Sequence, residues 1–223
     1  MDKTAIILGA SGLTGSELLK ILLEDESYTK VKVFGRSRLE ENHPKLEQFI
    51  GDLFKLEEFS QSFKADEVFC CIGTTAKKTP DKTIYKAIDY GIPVNAASLA
   101  KLNDINFFAV VSAMGANAKS NIFYNKTKGE MEQEVLKVNI PFTYILRPSL
   151  ILGKRNEKRL AESWAKTLFE ELSFIFMGPL KKYRPNPAEN IAQKMRQLAQ
   201  NRPPSKIIFA EEINEVAELG YDN

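Results

Sequence analysis

The chain has 223 residues and a mass of 25.2 kDa, with 43% apolar and 27% charged residues. That is enough to build one core and cover it, which excludes a wholly disordered chain and suits one domain with at most a modest extension. The 31 basic and 29 acidic side chains leave a formal charge of +2, too weak a field to draw the protein onto nucleic acid or an anionic membrane.

Thr4–Leu8 reads as a buried strand, and Leu13–Glu24 as an amphipathic helix with leucines at 13, 18, 19, 22 and 23. Val31–Phe34 is the second strand and Leu46–Ile50 a weaker third, with a short helix expected over Leu53–Phe63. Asp66–Ile72 is the fourth strand. A helix follows from about Asp81 to Lys101, with Pro93 a point at which it can bend. Asn106–Ser112 is the fifth strand, Asn121–Val138 the next helix and Phe142–Arg147 the sixth strand. Repeated strand-then-helix units predict an α/β, doubly wound parallel sheet of Rossmann type with helices on both faces, joined by right-handed crossovers.

After Pro148 the rhythm changes. Glu157–Phe176 reads as an aromatic-rich helix ended by Gly178-Pro179, and Pro187–Gln200 as a helix opened by its proline. Lys206–Phe209 reads as a strand and Glu211–Leu219 as a terminal helix. Residues 1–150 are the expected nucleotide-binding core. Residues 151–223 are the expected small α/β subdomain, a substrate or lid extension of the same domain.

Cys70 and Cys71 are the only cysteines, adjacent in an apolar run where a bridge would be badly strained, so a reducing compartment is expected. With one histidine, His43, and no CxxC pair, no metal site is expected. No apolar run approaches the ~18 residues of a membrane span, and the start of the chain reads as a strand rather than a signal peptide. A soluble cytoplasmic protein is the expectation.

Gly9, Gly12 and Gly15 form GxxGxxG between the first strand and the first helix. A turn there must be sharp, must let a pyrophosphate approach the backbone, and must deliver it to the helix N-terminus, whose free N–H groups attract anions. The second strand does not end in the acid that would bind a ribose 2′-hydroxyl. It runs into Arg36-Ser37-Arg38, and guanidinium groups suit a 2′-phosphate, so NADP(H) is expected over NAD(H), with Arg36 the main contact. Asp52 has two readings: acceptor for an adenine amino group or N-cap of the following helix.

Tyr124 and Lys128 form YxxxK. Four helical residues advance about 6 Å, so the two share a face, and the ammonium is expected to lower the tyrosine pKa. Ser112 ends the fifth strand, where ligands bind in open parallel sheets, and its hydroxyl could hold a substrate oxygen.

Taken in order, these parts resemble the short-chain dehydrogenase/reductase superfamily over roughly residues 3–150. Residues 3–15 are similar to its cofactor fingerprint. Ser112, Tyr124 and Lys128 stand where its catalytic residues stand, and Leu146-Arg147-Pro148 resembles a pair common after the sixth strand in extended members. The stretches 70–75, 112–116 and 124–130 resemble the atypical branch that includes the Tat-interacting-protein-like oxidoreductases. The resemblance implies NADP(H) on a Rossmann fold. Gly9, Ser11, Gly12, Leu13, Thr14 and Gly15 would be at the phosphates, Arg36 at the 2′-phosphate, and Asp52 and Leu53 at the adenine. Ile72, Gly73 and Thr74 would run along the ribose, Lys128 would bind the nicotinamide ribose, and Pro148 and Ser149 would back the nicotinamide. The asparagine of the classical proton relay has no evident counterpart. The tail is also shorter than in sugar-nucleotide epimerases.

The expected function is hydride transfer to or from a small carbonyl or alcohol, with Tyr124 as acid or base. An NADPH-binding regulatory or assembly protein, with a protein partner or as a homodimer, is the alternative, and a hydride-recycling epimerase or isomerase the third. Weaker candidates have plainer readings. Cys70 and Cys71 read as core thiols, the run from Trp164 to Phe176 as packing, Lys181–Arg184 as a solvated edge, and His43 as a loop residue.

Overall fold

The computed structural model describes residues 2–153 and 183–217. Its frame is a parallel sheet made from the strands β1 (Lys3–Leu8), β2 (Tyr28–Gly35), β3 (Leu46–Ile50), β4 (Glu67–Cys70), β5 (Phe107–Val111) and β6 (Phe142–Arg147). A short pair, β7 (Ile151–Leu152) and β8 (Asn186–Pro187), forms a separate two-stranded unit, and β9 (Ile207–Phe209) completes the main sheet. The order is β3-β2-β1-β4-β5-β6-β9, with every neighbour parallel. β4 and β5 are buried throughout, which is why, apart from Glu67 at the start of β4, they read as continuous apolar runs rather than alternating ones.

Side chains alternate between two cores. Ile7 points into one with Leu18, Leu22, Ile191 and Met195, and Ile6 into the other with Leu56, Ile92, Ala96 and Met131. The first core is covered by α1 (Leu13–Glu24) and by α5 (Ala188–Asn201). The second is covered by α3 (Ile92–Leu102), α4 (Phe123–Lys137) and a three-ten segment, Leu53–Phe59. Leu18, Leu19, Leu22 and Leu23 recur at helical spacing, so α1 buries one stripe and solvates the other.

Three expected elements differ. The helix from 81 to 101 is divided into α2 (Lys82–Lys86), a π-helical turn (Ala87–Gly91) and α3. Pro93, which has no N–H to give, lies at the start of α3 directly after the π-helical turn, where the change in hydrogen-bond spacing accommodates it. The helix after Leu53 is three-ten and stops at Phe59. The terminal helix is α6 (Ala210–Asn214) followed by a three-ten turn, Glu215–Ala217.

The extension does more than add a lid. β9 pairs with β6, and α5 lies against α1, where Arg196 Nε donates to Asp25 Oδ2 at 2.6 Å. The tail therefore finishes the sheet and one of its helix layers as well as carrying β8. The expected helix 157–176, with Trp164 and its aromatic neighbours, lies outside the described residues, as do Lys181 and Lys182.

Candidate functional site

The strand order reverses between β1 and β4, and the loops leaving those two strands part there to make a crevice. Gly9 turns the first loop with φ +85°, a conformation side chains strain to adopt. A Cβ at Gly9 would stand 2.7 Å from the Cys71 carbonyl oxygen, and one at Gly15 would stand 2.2 Å from the Gly9 carbonyl oxygen. Only glycine lets β1, the β4 loop and α1 converge this closely. Gly12 N–H donates to Gly9 C=O at 2.9 Å and closes the turn. No side chain caps α1 and no acid lies in its first turn, so its N-terminal N–H groups and positive dipole end are left for an external anion.

The cleft beyond this turn has a volume of about 350 Å³. Its walls are residues 9–12, 33–37, 52–54 and 71–73, with Leu39, Lys78, Ile88 and Ile92. A bare-backbone turn, an uncapped helix start and an adjoining cleft are what a dinucleotide requires, and the residues fit one. Arg36 and Ser37 stand exposed on the wall, while Arg38 borders a different hollow. Asp52 is the N-cap of the three-ten segment, accepting Phe54 N–H at 3.0 Å, and it also lines the cleft, with Leu53 buried beside it. Leu13, Thr14 and Gly15 open α1 just behind the turn, Thr14 and Gly15 being buried. Ile72 and Gly73 line the cleft, and Thr74 faces the cavity next to it.

That second cavity, of about 370 Å³, holds Tyr124. Its walls are mostly apolar: Ala76, Pro80, Tyr85, Phe123 and Tyr124, with the hydroxyls of Thr74, Thr75 and Thr79 and the side chain of Lys82. Tyr85 sits edge-on to Phe123 and Tyr124, with ring centroids 5.6 and 6.4 Å away, and its hydroxyl donates to the Thr74 carbonyl at 3.2 Å. Tyr124 is 40% exposed, so its phenol is open to a ligand.

Lys128, one turn on in α4, is buried. Its Nζ lies 2.9 Å from Asp89 Oδ1 and donates to the Val111 carbonyl at 3.4 Å. Asp89 is the residue that the sequence did not announce. It sits in the π-helical turn, and its Oδ2 accepts Thr74 N–H at 2.8 Å. A lone aspartate in a helical stretch carries no motif, and only the fold brings it to Lys128. The tyrosine pKa is correspondingly raised, not lowered. Burial is the largest cause; Lys128 pulls it down and Asp89 pushes it back up.

Ser112 is placed differently from expectation. It is buried, and its hydroxyl donates to Glu132 Oε1 at 2.6 Å, which commits its only proton. Glu132 is in turn gripped by Arg147, whose Nε donates to Oε1 at 2.9 Å and whose second nitrogen pairs with Oε2. The network ties the ends of β5 and β6 to α4. Pro148 is buried and its carbonyl accepts Met114 N–H. Ser149 N–H donates to Asn186 Oδ1 at 2.8 Å and its hydroxyl to the Arg184 carbonyl. The fully buried Asn186 thus pins the 148–149 turn to β8, another role invisible in sequence.

The weaker candidates fall outside the site's chemistry. Burial pushes the Cys70 thiol up to about 11 and raises Cys71 further, so neither is a thiolate at neutral pH. His43 Nδ1 accepts Lys45 N–H at 3.2 Å beside the hollow bordered by Arg38. Among the described residues no group of three or more His, Cys, Asp or Glu side chains gathers where a metal could be held, and no helix is long and apolar enough to cross a membrane.

The family whose description is NAD(P)H-binding matches residues 9–168. The rat protein HTATIP2 is 34% identical over 175 residues, which cover 77% of this chain and 72% of the rat protein. The Candida albicans protein FMP52, mitochondrial, is 36% identical over 176 residues, covering 74% and 75%. Among solved structures, an oxidoreductase of the short-chain dehydrogenase/reductase family from Burkholderia thailandensis superposes with a TM-score of 0.71. It is 13% identical, with 94% of this chain and 90% of that one covered, a likeness of fold.

Proposed function

The chain belongs to the NAD(P)H-binding family, in the atypical branch of the short-chain dehydrogenase/reductases, and from that premise we propose that it is an NADP(H)-dependent oxidoreductase acting on a small carbonyl or alcohol. One observation carries the reading. Tyr124 is open at the wall of an apolar cavity that adjoins the cleft, with the Lys128 ammonium held by the same helix.

When bound, the dinucleotide supplies or takes up the hydride. The chain's own residues do the rest. The backbone from Gly9 to Gly15 receives the pyrophosphate, and Arg36 receives the 2′-phosphate. Asp52 and Leu53 take the adenine, while Ile72, Gly73 and Lys128 take the riboses. Pro148 and Ser149 hold the nicotinamide face. Tyr124 exchanges a proton with the substrate oxygen, and Tyr85 and Phe123 wall the apolar body of the substrate and exclude water. Ser112 acts through Glu132 and Arg147, fixing the strand ends on which the site is built.

A regulator that binds NADPH and contacts a protein partner is the second reading, favoured by the commitment of the Ser112 hydroxyl to Glu132. For cellular place we propose a reducing compartment. The fungal relatives carry the word mitochondrial in their names, and fractionation separates cytoplasm from mitochondrion.

The test has two parts. Calorimetric titration should give tight NADPH and weak NADH binding. A screen of carbonyl compounds should show NADPH consumption that Tyr124→Phe reduces by about 10²–10⁴-fold without changing NADPH affinity. Full turnover in that variant would remove Tyr124 from the chemistry. Tight NADPH binding with no carbonyl consumed would favour the regulator.

A further inference from the structure

Asp89 is 1% exposed, and Lys128, opposite it, is 3% exposed. Taking both charges out of water is costly, and an apolar pair of the same size is often as stable or more so. Stability alone therefore does not account for an ion pair at this place. The carboxylate is also not fully used. Oδ2 accepts Thr74 N–H at 2.8 Å. Oδ1 lies 2.9 Å from Lys128 Nζ but has no donor aligned for a hydrogen bond among the described residues.

The pair lies against the cleft. A Cβ built on Gly73 would stand 3.5 Å from Asp89 Oδ1 and 3.8 Å from Lys128 Nζ. The Gly73 backbone therefore lies at contact distance from both charges. The π-helical turn Ala87–Gly91 carries Asp89 between Thr74 and α4, and turns of this kind recur at functional sites. Among the described residues, the other titratable groups that feel Asp89 are Tyr124 on α4, Tyr85 on α2 and Cys70 on β4. Lys86, on the same stretch of helix, is paired with Glu130 at 2.6 Å.

We propose that Asp89 is the positioning residue of the proton-transfer centre: it clamps Lys128 and the Thr74 loop at the cleft and offsets the ammonium charge, so that Tyr124 serves as a proton donor to a carbonyl. This rests on the reading that Tyr124 exchanges the proton. At Tyr124 the phenol O–H bond breaks and the alcohol O–H bond forms as the C=O bond becomes a C–O single bond, and solvent reprotonates Tyr124. The bound dinucleotide would supply the hydride, two electrons and one hydrogen, that forms the new C–H bond at the carbonyl carbon. A lysine without the carboxylate would favour the phenolate, a form that accepts a proton and suits alcohol oxidation at lower pH.

Asp89→Asn keeps the shape and an oxygen for Thr74 N–H while removing the charge. The full chain, labelled with ¹³C at the tyrosine ζ carbon, reports the Tyr124 ionisation by NMR, and Tyr124→Phe identifies the signal. In Asp89→Asn the Tyr124 titration should move to lower pH. The alkaline limb of carbonyl reduction should move with it, and Asp89→Glu should restore both toward wild type. An unmoved titration in a folded Asp89→Asn protein would overturn the proposal and leave Asp89 a structural residue. Should Asp89→Asn not fold, Asp89→Ser takes its place under the same readout: a Tyr124 titration moved to lower pH supports the proposal, and an unmoved one overturns it. The NMR reading needs no turnover. A wild type that reduces no carbonyl would therefore remove the oxidoreductase reading, while the coupling of Asp89 to Tyr124 is judged on the titration.

Discussion

The two ends of the parallel sheet each bury a carboxylate, and they treat it in opposite ways. At the N-terminal end, Glu67 is fully buried at the start of β4. Its Oε1 accepts from Lys3 at 2.9 Å, Oε2 accepts from the Tyr28 hydroxyl, and Arg202 lies 3.9 Å away. At the C-terminal end, Asp89 has one oxygen bonded and one merely close to a lysine. The first is a closed network in which each charge answers another, and it joins β1, β2, β4 and the end of α5. The second is a single ion pair beside a cleft. A charge enclosed by several partners holds a fold together. A lone buried pair beside a cavity places its field where a ligand or a reacting group feels it.

The contrast can be broken from either end. Glu67→Ala should give the largest change in stability, about 3 kcal/mol, because it opens a cavity and strands the Tyr28 hydroxyl. Urea unfolding would show the loss, while NADPH affinity of the folded protein should stay as in wild type. A variant as stable as wild type would mean that the N-terminal network is dispensable. Arg36→Ala should do the reverse at the other end. NADPH affinity should fall about tenfold to a hundredfold, NADH affinity should hardly change, and the unfolding midpoint should stay put. Equal weakening of both cofactors would remove the 2′-phosphate contact.

The smallest effect is a slope with pH. Burial, reinforced by the Glu67 carboxylate, holds the Tyr28 phenol far above the ordinary value of 10.0. Above pH 10 the unfolded chain loses that proton and the folded chain keeps it. Stability should then fall by about 1.4 kcal/mol per pH unit, and be fully present below that range. Tyr28→Phe should flatten the slope, and an unchanged slope would place its origin elsewhere.

What the sequence made legible was what periodicity and turn chemistry encode locally. The bounds of α1, β3 and β6 agree to the residue with the expected Leu13–Glu24, Leu46–Ile50 and Phe142–Arg147, because their leucine stripe and apolar runs end at glycine, proline or charge. The turn at Gly9 and Gly15 was legible for the same reason. Partners distant in sequence were not. Asp89 meets Lys128 across 39 residues, and nothing in either local pattern names the other. Glu132 and Arg147 read as a helix acid and a strand-end base until the fold sets Glu132 between Arg147 and Ser112. The strand over 206–209 was legible as a strand, but its place beside β6 was not, since pairing is decided by the whole sheet.

That last placement bears on how the molecule comes into being. Arg196 grips Asp25 across 171 positions, and Ile191, Met195 and Leu198 cover the leucines of α1. On a ribosome, α1 emerges long before its cover. For most of synthesis the nascent chain carries Leu18 and Leu22 without their native cover, and in its later part the edge of β6 without β9. Such long-range closure slows folding and lengthens the time in which apolar surface can stick to other chains. Final collapse waits for β9, so the protein is expected to lean on holding chaperones during translation.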